Sequence, residues 1–211
     1  SVVIPGPIPG FGYEGLNQAS LFLPSGISLV IACASFIGVP LTLTTYRETA
    51  VLRRLRATPV KIPTLVTGFS LSQFAFVLVG ILILMALGHL FLAVEVLGSW
   101  VAFAGTILLG MITFLALGAA IGSISPSVRA ANIIIWVIFL PMLMLSELFL
   151  PISVLPDWLQ PIAQALPLTA LTTLLRDIVY GANVINLWRL GVLAAWTILA
   201  LIVTIFLFRW E

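Results

Sequence analysis

Five apolar stretches, at about 21–44, 63–91, 97–124, 131–150 and 187–208, fill most of this 211-residue chain. Each is long enough to cross roughly 30 Å of hydrocarbon as a helix of about 20 residues. With 62% hydrophobic residues, 8% charged residues and a mean hydropathy of +1.26, the chain lies far outside soluble averages. The expected fold is an all-α integral membrane protein. A net charge of +2 with localised basic residues gives no footprint for nucleic acid. The single cysteine, Cys33, sits inside an apolar run; it can form no internal disulfide and reads as a small packing residue.

The orientation follows from charge. Five of the nine basic residues, Arg47, Arg53, Arg54, Arg56 and Lys61, fall in one short segment between the first and second spans. Short loops rich in Lys and Arg resist translocation, so this segment is expected on the cytoplasmic side of a plasma (bacterial inner) membrane. Counting spans from there puts Arg129 and Arg209 inside as well, and leaves Arg176 and Arg189 outside with Glu14, Glu95, Asp157 and Asp177. Residues 1–20, with Pro5, Pro7, Pro9 and four glycines, read as an irregular external tail. Residues 21–211 then form one transmembrane domain.

The basic segment has a helical pattern of its own. Thr45 followed by Glu48 fits a capping box, which predicts a helix starting near Tyr46, and Thr58-Pro59 predicts its stop. Over 46–57, Val51, Leu52 and Leu55 make an apolar stripe, with Arg47, Arg53, Arg54 and Arg56 on other faces. Such a helix lies along a membrane interface. Its arginines either anchor the loop on anionic lipid or dock a cytoplasmic partner; the cap, the stripe and the proline stop favour docking.

Between the fourth and fifth spans, Pro151, Pro156, Pro161 and Pro167 are too dense for a continuous spanning helix. Region 151–181 is expected to break into short helices that dip into the outer leaflet and return, their backbone covered by protein; an ordinary surface loop is the alternative. Leu168, Leu171, Leu175 and Ile178 line one side of its last helix and Thr169, Thr172, Thr173 and Arg176 another, with Gly181 placed as a C-terminal cap. Trp158, with Trp100, Trp188 and Trp210, is expected as an interface anchor. Glu147 ends the fourth span; it either faces water or pairs with Arg176 or Arg189, or it marks a pathway, as ionisable groups in a span tend to do. Gly118 and Gly122 have the spacing that lets helices approach closely.

Enzymatic signatures were sought. Gly68-Phe69-Ser70-Leu71-Ser72 lacks the closing glycine of a nucleophile elbow. A single histidine, His89, cannot build a paired-histidine metal site, and there is no phosphate-binding loop. No cofactor or metal is expected on this chain. A channel or a non-transporting structural subunit would share the span pattern, and an intramembrane enzyme is the more distant alternative.

Three segments together resemble one family. Leu23-Pro24-Ser25-Gly26 opens the first span; Tyr46-Arg47-Glu48-Thr49-Ala50-Val51-Leu52-Arg53-Arg54-Leu55-Arg56-Ala57-Thr58-Pro59 follows it; and Phe149-Leu150-Pro151-Ile152-Ser153-Val154-Leu155-Pro156-Asp157-Trp158-Leu159-Gln160-Pro161 with Leu166-Pro167-Leu168-Thr169 precedes the last. Their order and spacing are similar to those of the membrane subunits of type-2 ATP-binding-cassette transporters, which export drugs, polysaccharides and lipids. The resemblance implies six spans per subunit, so that one would precede this chain, and a second permease copy or close relative as partner. It implies two cytoplasmic ATPase subunits holding ATP and Mg. Glu48, Arg53, Arg54, Leu55, Arg56, Thr58 and Pro59 would couple to them, and Pro151, Pro156, Trp158, Pro161, Pro167 and Arg176 would help close the outer end.

Overall fold

Each apolar stretch forms a helix long and apolar enough to span a membrane in the computed structural model, which describes residues 18–49, 62–92, 98–148, 152–180 and 186–207. The first span is compound: α1 (Gln18–Ala32), a π turn (Cys33–Ile37) and α2 (Gly38–Glu48) follow without a break. The other spans are α3 (Ile62–Leu92), α4 (Trp100–Ile124), α5 (Val128–Leu145) and α8 (Leu187–Leu207). Before the last lie a 3-10 turn (Ile152–Val154) and two short helices, α6 (Gln160–Gln164) and α7 (Pro167–Val179). No strand occurs among the described residues.

Caps set the span ends more sharply than hydropathy does. Ser99, extended in backbone, accepts from the Ala102 N–H, so the third span begins at Trp100 rather than near 97. Ser127 accepts from the Ala130 N–H at 3.1 Å and starts the fourth span at Val128. That span ends at Leu145, short of the expected 150, because the chain turns at buried Ser146. The Ser99 and Ser127 oxygens each satisfy an N–H that the first turn of a helix leaves open.

The separate helix expected to begin near Tyr46 is corrected by the structure. Residues 46–48 complete α2, and Thr45 sits in mid-helix with its hydroxyl donating to the Leu41 carbonyl at 2.7 Å. A capping box needs a non-helical residue at the cap; here the incoming span is already helical, and extending a formed helix costs far less than nucleating another. The remainder of 46–57 beyond Thr49 lies outside the described residues.

Small residues bring the spans together. Against α4, α8 packs in parallel through Ala116, Ala120 and Ala200, and the Thr113 and Thr197 hydroxyls bond at 2.8 Å across the seam. On another face of α4, a Cβ on Gly118 would fall on the Ser35 carbonyl oxygen, and one on Gly122 would come within 3.3 Å of the Pro40 Cα. Only bare backbone allows this approach. The central core joins Phe36, Met111, Phe114, Ile135 and Phe139, all buried.

Helices α6 and α7 form a hairpin that enters the bundle. Leu171 of α7 seats against Gly110, ten residues into α4, or about 15 Å along its axis at 1.5 Å per residue. The indole of Trp196, nine residues into α8, donates to the Ala165 carbonyl at the hairpin turn at 2.8 Å. Ile178, by contrast, abuts Gly98 at the end of the bundle. The turn therefore reaches roughly half the depth of the spans. Pro161 and Pro167 lie in the first turns of α6 and α7, where a missing N–H costs nothing.

Candidate functional site

Two polar assemblies stand at opposite ends of the bundle, with a distorted turn between them. At one end, the last turn of α2 grips the loop joining α4 to α5. Glu48 Oε1 accepts the Val128 N–H at 2.7 Å, while the Arg47 guanidinium donates to the Ser125 carbonyl at 3.3 Å. A carboxylate at a helix start satisfies an open donor and complements the helix dipole. The clamp thus fixes the end of the first span to the start of the fourth. Beside it opens a cleft of about 1020 Å³, polar at Glu48, Arg129 and Asn132 and apolar along Ile133, Trp136 and Val137.

Glu48 is the one described member of the expected coupling set. Arg53, Arg54, Leu55, Arg56, Thr58 and Pro59 lie outside the described residues, as does Pro151. In sequence, the basic residues follow directly on the clamp residues Arg47 and Glu48.

At the other end, α7 is enclosed on nearly all sides. Both of its expected faces are buried: Thr172 and Thr173 donate to the Leu168 and Thr169 carbonyls one turn back, which lets them leave water. Arg176 is 1% exposed. Its guanidinium donates to Glu147 Oε2 and to the Glu147 carbonyl, both at 2.8 Å. Of the readings open for Glu147, the pairing with Arg176 is the one observed. One residue on, Asp177 pairs with Arg189 at the start of α8. Charge pairs therefore brace the base of α7 to the fourth span on one side and the fifth on the other. Trp158, 70% exposed, projects from the turn before α6, near Pro156.

Burial raises the Glu147 carboxyl above its ordinary range, with the Arg176 cation the main opposing influence. Tyr180, which follows α7, is pushed up to about 12, again by burial. An unfolded tyrosine ionises near 10, so stability is whole below that pH and declines as pH climbs toward 12, where only the unfolded chain releases its proton readily. Melting of the solubilised protein should show this alkaline loss, and Tyr180→Phe should diminish it.

Midway between the two ends, the π turn meets the second span. Gln73 Nε2 donates to the Ala34 carbonyl at 2.5 Å. Gln73 and Arg47 were absent from the expected site residues. Gln73 carried a usable signal as the lone amide in an otherwise apolar span, since such groups hydrogen-bond between helices.

Among known families, a model described as ABC-2 type transporter matches residues 1–180. No curated protein matches the chain. Five membrane-length helices, an inserted hairpin before the last of them and this match agree, and the chain belongs to the ABC-2 type transporter family as a membrane permease.

Proposed function

We propose that the chain is the permease subunit of an exporter driven by separate cytoplasmic ATPase subunits, two for each pair of permeases. The observation that carries this reading is the clamp: Arg47 and Glu48, which hold the start of the fourth span, immediately precede the basic segment 50–61 in sequence. A push on that segment reaches two spans together. Arg47 and the Ser125–Val128 loop share this end; Arg129 follows that loop and five basic residues fall within 47–61 in sequence, an excess of positive charge that supports a cytoplasmic placement. ATP and Mg belong to the partner.

The adjacent cleft joins a polar mouth to an apolar wall, which supports a cargo that is amphipathic and drug-like, lipid-linked or a polysaccharide. The sealed hairpin at the far end supports a closed outer gate, opened when the permeases rearrange. Changing Arg53, Arg54 and Arg56 together to Glu is expected to leave membrane insertion intact and to abolish co-purification of the ATPase and its stimulation by the permease. Full retention of coupled ATPase activity would refute the assignment. A panel of amphipathic compounds, screened for stimulation of the reconstituted complex, identifies the cargo class.

A further inference from the structure

The first and fourth spans are weakened at one level and tied together below it. In the first span, Pro40 has no N–H to offer the Phe36 carbonyl, and the chain answers with the π turn Cys33–Ile37. Just past the turn, the Gly38 N–H is shared between the Ala34 and Ser35 carbonyls, four and three residues back. The Ser35 hydroxyl is buried without a hydrogen-bond partner among the described residues. In the fourth span Pro141 interrupts α5, depriving the Val137 carbonyl of its donor in the same way. Glu48 and the π turn are 11 to 15 residues apart, and Val128 and Pro141 are 13 apart. At 1.5 Å per residue, both weak points stand about 16–22 Å above the clamp.

The first and fourth spans touch at that level and again at the clamp. At the pivot, Phe36 of the π turn itself stacks on Phe139, with ring centroids 5.7 Å apart, two residues before Pro141. Arg47 and Glu48 hold the Ser125 carbonyl and the Val128 N–H at the bottom. An attachment at the pivot and another at the far end of α2 limit relative rotation of α2 and the lower part of α5. Alongside, α4 presents bare backbone at Gly118 and Gly122, against which Val39, Pro40 and Leu43 of α2 lie closely.

We propose that Gly38–Glu48 and residues 128–140 move as one rigid two-helix lever, pivoting at the π turn and at Pro141, and that Gln73 is the positioning residue that holds the resting register. This rests on the reading of the chain as an ATPase-driven permease and adds to it where the motion bends and which helices stay together. Gln73 is suited to the role because its bond goes to the Ala34 carbonyl inside the turn itself. A carbonyl in a π turn exchanges partners when the turn shifts register, so a donor from a neighbouring span biases one register.

The test uses spin-label pairs in the reconstituted permease–ATPase complex, in a Cys33→Ala background. Phe22, Thr45 and Val137 are exposed and take the labels. With nucleotide, the 22–45 and 22–137 distances are expected to shift, and the 45–137 distance to stay fixed. Gln73→Leu is expected to broaden the resting 22–45 distribution. Pro141→Ala, which restores the missing donor, should reduce permease-stimulated ATPase activity about fivefold or more while the ATPase still co-purifies. A change in the 45–137 distance as large as that in 22–45, or no change in any pair during stimulated hydrolysis, overturns the lever and leaves the permease assignment standing. Failure of any ATPase to associate overturns the assignment, and the lever with it.

Discussion

Glu147→Leu is expected to destabilise the protein more than any other single change at the hairpin end, by roughly 3–5 kcal/mol. The change leaves the Arg176 guanidinium, 1% exposed, facing an apolar side chain. A guanidinium cannot shed its charge in a protein, since it stays protonated far above neutral pH. Arg176→Met leaves the opposite orphan, and the outcome differs because a carboxyl can. Glu147 is already raised by burial, and Arg176 is the main influence holding it down. Without that cation the carboxyl is raised further and sheds its charge by taking up a proton more readily, at a smaller cost. The unfolded carboxyl keeps its ordinary value, so the defect of Arg176→Met grows as pH rises above that range and shrinks on acidification. The double change, Glu147→Leu with Arg176→Met, removes both charges and should recover most of the loss. Melting of the four proteins in detergent between pH 5 and about 8 distinguishes these outcomes; equal penalties for the two single changes would show that the pair contributes no net electrostatics.

The spans were legible because hydrocarbon imposes a length and a composition that few other structures share. Their ends were less so. Leu97 and Leu150 are as apolar as the helices beside them, and the breaks at Ser99 and Ser146 come from single hydroxyls and local turns. The broken region after the fourth span was readable because each proline removes a donor. How deeply the hairpin enters was not, since its depth depends on Gly110 and Trp196 in helices far away in sequence. Thr45 and Glu48 show the opposite failure. Their spacing satisfied a local motif, yet Glu48 caps a helix 80 residues on, at Val128, because the first span was already helical when it reached them. The π turn left only Gly38 and Pro40 as traces, and a proline in a span is equally compatible with a simple kink.

Gly118→Ala is expected to cost about 1–3 kcal/mol, the range for overpacking a closed interior, although the change adds one methyl group and improves helix propensity. The new carbon would fall on the Ser35 carbonyl oxygen, 3.0 Å from Val39 Cβ and 3.3 Å from Pro40 Cδ. None of these can rotate away: one is backbone, one is the root of a branched side chain, and one belongs to a ring. Relief requires the first span to move at its π turn, which strains the bond from Gln73 to Ala34. Gly110→Ala meets the tips of Leu171 instead, at 2.6 and 2.9 Å, and a side chain buried in the core yields partly, so an intermediate cost is expected. At Gly105 and Gly191 nothing lies within 4 Å; alanine there should be neutral or stabilising by up to about 1 kcal/mol, from reduced freedom of the unfolded chain. The four alanine variants span helix propensity and packing in opposite directions, so the order of their melting temperatures reads out the interface directly. Should Gly118→Ala melt with Gly105→Ala, the first and third spans are not in backbone contact at this level.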